Sequence, residues 1–196
     1  MFQVDQKFPH FSLEVYWPLK DEVGRVSSKD LAGKWIVFLF YPADFTFVCP
    51  TELADLNRLY PEFRKLKAEV MAVSTDTVYT HKAWLEVEKL LSGVEYPMAS
   101  DHNGSFSKEL GIYDEETGKA ERATFIIDPQ GTLRAVDIVS DSIGRSAGEA
   151  LRKLRALDFV SKNPGKVCPA NWDEDKKALT PSIKKAGKVY KEYEKR

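Results

Sequence analysis

Two residues of this chain are equipped for thiol chemistry, Cys49 and Cys168, and they are its only cysteines. Cys49 ends the run Tyr41-Pro42-Ala43-Asp44-Phe45-Thr46-Phe47-Val48 and is followed by Pro50-Thr51-Glu52. The apolar stretch 35–41 reads as a buried strand, the proline-bearing segment after it as a turn, and a helix is expected to begin near Cys49. A thiol at a helix N-terminus meets the positive end of the helix dipole, which lowers a thiol pKa and makes a nucleophile. A solitary cysteine is otherwise explained as a small buried apolar residue. The frame of Pro42, Thr46 and Pro50 favours chemistry over packing. Cys168 lies far along the chain and is also followed by proline, so the pair suggests redox chemistry.

The remaining residues narrow the nucleophile class. A cysteine hydrolase needs a histidine base within reach, and His10, His81 and His102 sit in no recognisable hydrolase pattern. No Cys-x-x-Cys pair is present, which removes thioredoxin-type dithiol exchange. Two distant cysteines and three scattered histidines have no metal-ligand spacing, so no metal site is expected. What is left is a thiolate held by cationic or dipolar groups. It would attack a substrate that brings its own weak bond and good leaving group, such as a peroxide.

The elements that must position these residues follow from periodicity. Residues 11–16 alternate apolar and polar, as a half-buried strand does. Residues 17–34 hold charged and turn residues. From 50 to 66, Leu53, Leu56, Leu59, Phe63 and Leu66 form a helical stripe, with Pro61 expected to kink or split the helix near Arg58–Tyr60. Val70 to Ser74 reads as a buried strand and Thr80 to Leu91 as a helix, with Thr77 or Thr80 as cap. Tyr96 to Ser100 reads as a short strand before a loop. Strands at 123–127 and 133–139 are joined by the hairpin signal Asp128-Pro129-Gln130-Gly131. Residues 146–160 read as an amphipathic helix. Beyond Pro164-Gly165 the chain is richer in lysine and poor in core-forming runs. The reading is an α/β layer fold with a central mixed β-sheet over residues 1–164, and a C-terminal arm over 165–196 that carries Cys168.

Composition bounds the partners. The chain is 43% hydrophobic and 30% charged over 196 residues, with 29 basic against 30 acidic residues and a formal net charge of -1. That balance gives no electrostatic case for nucleic acid or an anionic membrane. No apolar run approaches the roughly 20 residues that span a bilayer. The first seven residues lack the basic-then-apolar order of a signal peptide, so a cytoplasmic protein is expected.

The segment Phe40 to Glu52 resembles the peroxidatic signature of the typical two-cysteine peroxiredoxins of the AhpC-like, alkyl hydroperoxide reductase group. Further stretches agree in order along nearly the whole chain. They are Val73-Ser74-Thr75-Asp76-Thr77, His81-Lys82-Ala83-Trp84, Arg122-Ala123-Thr124-Phe125-Ile126-Ile127-Asp128-Pro129-Gln130-Gly131 and Gly165-Lys166-Val167-Cys168-Pro169-Ala170-Asn171-Trp172. The resemblance implies a thioredoxin-like fold and a thiol-dependent peroxidase that needs no cofactor. Cys49 would be the peroxidatic cysteine and pass through a sulfenic acid. Arg122 would hold the thiolate, Thr46 would orient the peroxide, Pro42 would shield the sulfur, and Glu52 and Arg145 would brace Arg122. Cys168 of the other subunit would resolve the sulfenic acid as an intersubunit Cys49–Cys168 disulfide.

By residue type alone, Thr46 and Pro42 read equally as turn residues, Arg122 and Arg145 as solvated arginines, Glu52 as a first-turn acid and Cys168 as a free tail thiol. The implied partners are hydrogen peroxide, alkyl hydroperoxides, and a flavoprotein disulfide reductase or thioredoxin. The implied assembly is a homodimer, with five dimers in a decamer, and Phe45 and Tyr79 packing between dimers. An oligomeric holdase chaperone and a peroxide sensor are the alternatives. Peroxide-sensitive relatives carry a Gly-Gly-Leu-Gly insertion and a C-terminal Tyr-Phe pair. Here Leu91-Ser92-Gly93-Val94 has no such insertion and Tyr193 is followed by Glu194, so resistance to over-oxidation is expected.

Overall fold

The computed structural model describes residues 3–193, so Glu194 lies outside the described residues. In chain order the elements are β1 (Ser12–Trp17), β2 (Glu22–Ser27), β3 (Trp35–Phe40), α1 (Cys49–Lys65), β4 (Ala68–Ser74), α2 (Val78–Val87), β5 (Met98–Ser100), α3 (Ser105–Glu109), β6 (Tyr113–Asp114), β7 (Lys119–Ala120), β8 (Arg122–Ile127), β9 (Leu133–Val139), α4 (Ala147–Lys162) and α5 (Tyr190–Tyr193). Seven strands form one sheet in the order β2-β1-β5-β4-β3-β8-β9, and β6 pairs with β7 apart from it. β3 pairs parallel with β4 and antiparallel with β8, so the sheet is mixed. Helix α1 packs on β4, and α2 on β1 and β5.

Strand β3, Trp-Ile-Val-Phe-Leu-Phe, is buried at every position, as a central strand covered on both faces must be. Its Phe38 and Phe40 join Phe11, Phe106 and Phe125 in the core, with edge-on pairs at 5.0 Å for Phe11–Phe38 and 5.7 Å for Phe40–Phe125. Such geometry suits the ring quadrupoles and rigidifies the platform under the turn that follows β3.

Helix α1 is one unbroken element through Pro61, so the expected split near Arg58–Tyr60 does not occur. Leu53, Leu56 and Phe63 lie on its buried face on both sides of the proline, and that packing holds the helix through the missing N–H. The expected helix 80–91 is α2 followed by a short 3-10 turn, Lys89–Leu91, because Glu88 adopts an extended conformation between them. Thr77 caps α2 by accepting from the Thr80 amide at 3.2 Å. The β8–β9 hairpin turns where its sequence indicates, with Asp128 Oδ1 accepting from the Gln130 and Thr132 amides. Strand β2, inside the segment read as turn-rich, was not expected. It is an outer strand pairing with β1 alone, and its Glu-Val-Gly-Arg-Val-Ser sequence is half exposed.

The chain divides into two compact units between Ala150 and Leu151. The first holds the sheet. In the second, the Trp172 ring packs on Phe159 with centroids 4.8 Å apart, and Val167 bridges Leu179 antiparallel.

Candidate active site

The strand order brings the site together. Antiparallel register sets Phe40 of β3 opposite Ala123 of β8, so Arg122, the first residue of β8, lies at the strand end that launches the Cys49 turn. Arg122 is in turn opposite Val139 of β9, which leads into Asp141. Three chain segments thus converge at one end of the sheet.

Cys49 opens α1 and is fully buried. Pro50 follows at the first turn, where a missing N–H costs nothing. Val48 offers no side-chain cap, so no hydroxyl or carboxylate competes for the first-turn amides. Glu52 lies three positions on, on the same helix face, and is also buried.

Arg122 is buried rather than solvated, at 3% exposure. Its Nη1 donates to Cys49 Sγ at 3.2 Å and to Glu52 Oε2 at 2.9 Å. Its Nε donates to the Asp141 carbonyl at 2.7 Å, and Nη2 pairs with the Asp141 carboxylate at 3.2 Å. The Arg145 side chain is equally buried. Its Nε donates to Glu52 Oε1 at 2.9 Å, its backbone amide to the same oxygen at 2.7 Å, and its Nη2 to the Phe40 carbonyl at 2.8 Å. Burial alone would raise the Glu52 carboxyl, but the hydrogen bonds and charge of Arg145 and the charge of Arg122 outweigh it. They hold Glu52 below the ordinary carboxylate value. Gly144 makes room for this packing, since a Cβ there would meet the Val48 side chain at 3.3 Å.

The buried charges do not cancel. Two guanidinium groups face one buried carboxylate, while the Asp141 carboxylate is 81% exposed and screened by water. One positive charge is left over inside, next to Cys49 Sγ. A thiolate there would balance it.

Thr46 closes the turn before the helix by donating from Oγ1 to the Ala43 carbonyl at 2.9 Å. That bond uses the hydroxyl hydrogen and leaves the oxygen as an acceptor. Between them Phe45 takes a left-handed backbone, φ 55°, rare for a side-chain-bearing residue. Pro42 and Arg122 line one cleft of about 570 Å³, with Ala120, Ile138, Val139 and Asp141 on its other walls. Cys49 does not line it.

Cys168 lies in the second unit, half-buried, with Sγ 3.8 Å from the Ala156 carbonyl. Burial pushes its thiol above the ordinary cysteine value, and the charge of Arg152 only partly offsets this. Among the described residues no cluster of His, Cys, Asp and Glu could hold a metal ion, and no helix is long and apolar enough to cross a membrane.

The structure therefore brings Cys49, Glu52, Arg122 and Arg145 into one bonded group, with Pro42 on the cleft that Arg122 lines. It also adds residues that sequence reading missed. Asp141 and the Phe40 carbonyl orient the two arginines through backbone oxygens, which leave no mark on side-chain type. Asp44 and His81 form a buried pair beside the turn, and nothing local in sequence joins positions 37 residues apart.

Comparison with known proteins identifies the family. Residues 4–136 match the AhpC/TSA family, and residues 156–195 match the C-terminal domain of 1-Cys peroxiredoxin. The chain is 43% identical over 189 residues to alkyl hydroperoxide reductase C of Staphylococcus aureus strain Mu50, covering 96% of this chain and all of that protein. The crystal structure of Enterococcus faecalis AhpC superposes with a TM-score of 0.81 at 43% identity, covering 86% of this chain and all of that one. Reduced Plasmodium vivax 2-Cys peroxiredoxin superposes with a TM-score of 0.88 at 31% identity, over 94% and 96% of the two chains. The fold is the thioredoxin-like α/β fold of these proteins, and the chain belongs to the AhpC/TSA family of peroxiredoxins.

Proposed function

We propose that Cys49 carries the thiol-dependent peroxidase activity of this family, reducing hydrogen peroxide and small organic hydroperoxides. The observation that carries the reading is the uncompensated buried charge of Arg122 and Arg145 against Glu52, set 3.2 Å from Cys49 Sγ. The thiolate attacks one peroxide oxygen. The S–O bond forms as the O–O bond breaks, sulfur gives up two electrons, and the leaving oxygen takes a proton to depart as water or alcohol. Arg122 is already in place to meet the charge passing from sulfur to that oxygen, so little reorganisation is needed. Thr46 Oγ1 accepts the peroxide's hydrogen, and Pro42 keeps water off the sulfur.

Cys168 of a second subunit then attacks the Cys49 sulfenic acid. The S–S bond forms and water leaves. Cys49 is buried in a helix, and a disulfide requires Cα atoms within about 7 Å, so the first turn of α1 unwinds for this step. The arm over 165–196 suits a reach across a dimer interface. A dithiol partner, a flavoprotein disulfide reductase or thioredoxin, restores both thiols. The setting is the cytoplasm. Phe45 and Tyr79 are 56% and 72% exposed, and such aromatics suit a contact between dimers in a decamer. With neither the glycine-rich insertion nor the Tyr-Phe pair, the enzyme resists conversion to sulfinic acid. Turnover at low micromolar peroxide then proceeds without progressive inactivation, and early loss of activity would refute this. The reading itself is tested by peroxide consumption with a dithiol reductant. It is lost in Cys49→Ser, and activity surviving that change would overturn it.

A further inference from the structure

His81 is fully buried, and its imidazole reaches the turn that carries Pro42 and Thr46. Its Nδ1 lies 2.7 Å from Asp44 Oδ2, and both side chains are sealed from solvent. Its Nε2 lies 3.2 Å from the Ala99 carbonyl on β5. The buried Tyr41 hydroxyl donates to Asp44 Oδ1 at 2.7 Å and lies 3.3 Å from His81 Nδ1. The Asp44 backbone amide donates to Asp76 Oδ2 at 2.8 Å, and that oxygen also accepts from Ser74 Oγ at 2.8 Å.

A proton count constrains this group. A carbonyl only accepts, so Nε2 carries a hydrogen toward Ala99. Asp44 Oδ1 receives its hydrogen from Tyr41. The short Nδ1–Oδ2 contact therefore needs a proton of its own, held as imidazolium or as carboxylic acid. With that proton every polar atom of Asp44 and His81 is satisfied. Without it two acceptors face each other in a buried space, which is costly.

Asp44 is thereby fixed from both its backbone and its side chain, to the end of β4 and to α2. The next residue, Phe45, is the one in left-handed backbone, and the one after is Thr46. A turn with this conformation persists only when its surroundings over-determine it. We propose that Asp44 and His81 are positioning residues for the peroxide reaction: their shared-proton bond holds the 42–46 turn so that Thr46 meets the peroxide in register with Cys49. This rests on the peroxidase reading above. Neither residue touches the reacting atoms.

The test compares two reactions of Cys49 in the full-length, reduced Cys168→Ser protein. One is single-turnover oxidation by hydrogen peroxide, which needs an oriented substrate. The other is alkylation by iodoacetamide, which needs only the thiolate. Asp44→Ala is expected to slow the peroxide reaction by on the order of ten- to a hundred-fold while alkylation changes by less than about three-fold. Asp44→Asn recovers most of the lost rate. Its amide donates to Nδ1 and its oxygen accepts from Tyr41, so the bonds survive without the extra proton. If Asp44→Ala does not fold, His81→Gln carries the same comparison. Peroxide rates near wild type in the folded variant would overturn the assignment. So would peroxide and iodoacetamide rates falling together, or Asp44→Asn failing to recover. A parent protein inert to peroxide would instead defeat the peroxidase reading on which the assignment rests.

Discussion

Cys49 Sγ and Glu52 Oε2 share a single donor, Arg122 Nη1, at 3.2 and 2.9 Å. The carboxylate that anchors the guanidinium thus sits one turn along the helix that begins with the thiol. Arg145 grips the other carboxylate oxygen at 2.9 Å, so sulfur, carboxylate and both cations form one bonded group at the start of α1.

Arg122→Lys keeps a positive charge but loses the planar fork that serves Sγ, Glu52 and Asp141 together. The second-order rate with hydrogen peroxide is expected to fall by on the order of 10²–10³. Stopped-flow oxidation of the reduced protein measures it. A rate within about three-fold of wild type would remove Arg122 from the mechanism.

Glu52 gives acid stability a defined sign. Its carboxyl is held below the ordinary value in the folded chain by the two arginines, against burial. The folded state then binds the proton more weakly than the unfolded state does. Glu52 contributes stability above the unfolded carboxylate pKa of about 4.3, and that contribution is lost as pH falls through its lower folded value. Urea unfolding of Glu52→Gln should lie below wild type at neutral pH, with the gap closing in acid. A constant gap down to the lowest pH at which the protein folds would contradict the assignment.

Cys168 shows the opposite sign, because burial raises its thiol. In Cys49→Ser, alkylation of the remaining thiol should rise with a midpoint above the free-cysteine value of about 8.5. Guanidinium should bring the midpoint down to that value. A native midpoint at or below it would mean that Cys168 is an activated nucleophile rather than a thiol that waits for the sulfenic acid.

How much of this was legible in the sequence depends on range. Strand β3 declares itself as six consecutive apolar residues, the β8–β9 turn by Asp-Pro-Gln-Gly, and the start of α1 by the prolines around Cys49. Each rests on neighbours in sequence. Strand β2 was hidden because an outer strand needs only weak alternation, and α3 and β6–β7 because elements of two to five residues carry no period. Arginine by type reads as surface, and the burial of Arg122 and Arg145 follows only from a carboxylate 70 and 93 residues away. The resemblance of motifs pointed to those two arginines, whereas periodicity did not. Asp44 and His81 fall within the resembling stretches, but neither route gave them a role, since a buried pair 37 residues apart has no period and falls in no recognised hydrolase pattern.

The most direct test is a non-reducing denaturing gel of reduced protein after one equivalent of hydrogen peroxide, run beside Cys49→Ser and Cys168→Ser. The account predicts a covalent dimer in wild type that is absent from both variants. Wild type that stays monomeric with Cys49 still a free thiol would contradict it, and the helix-start cysteine would then be a packing residue.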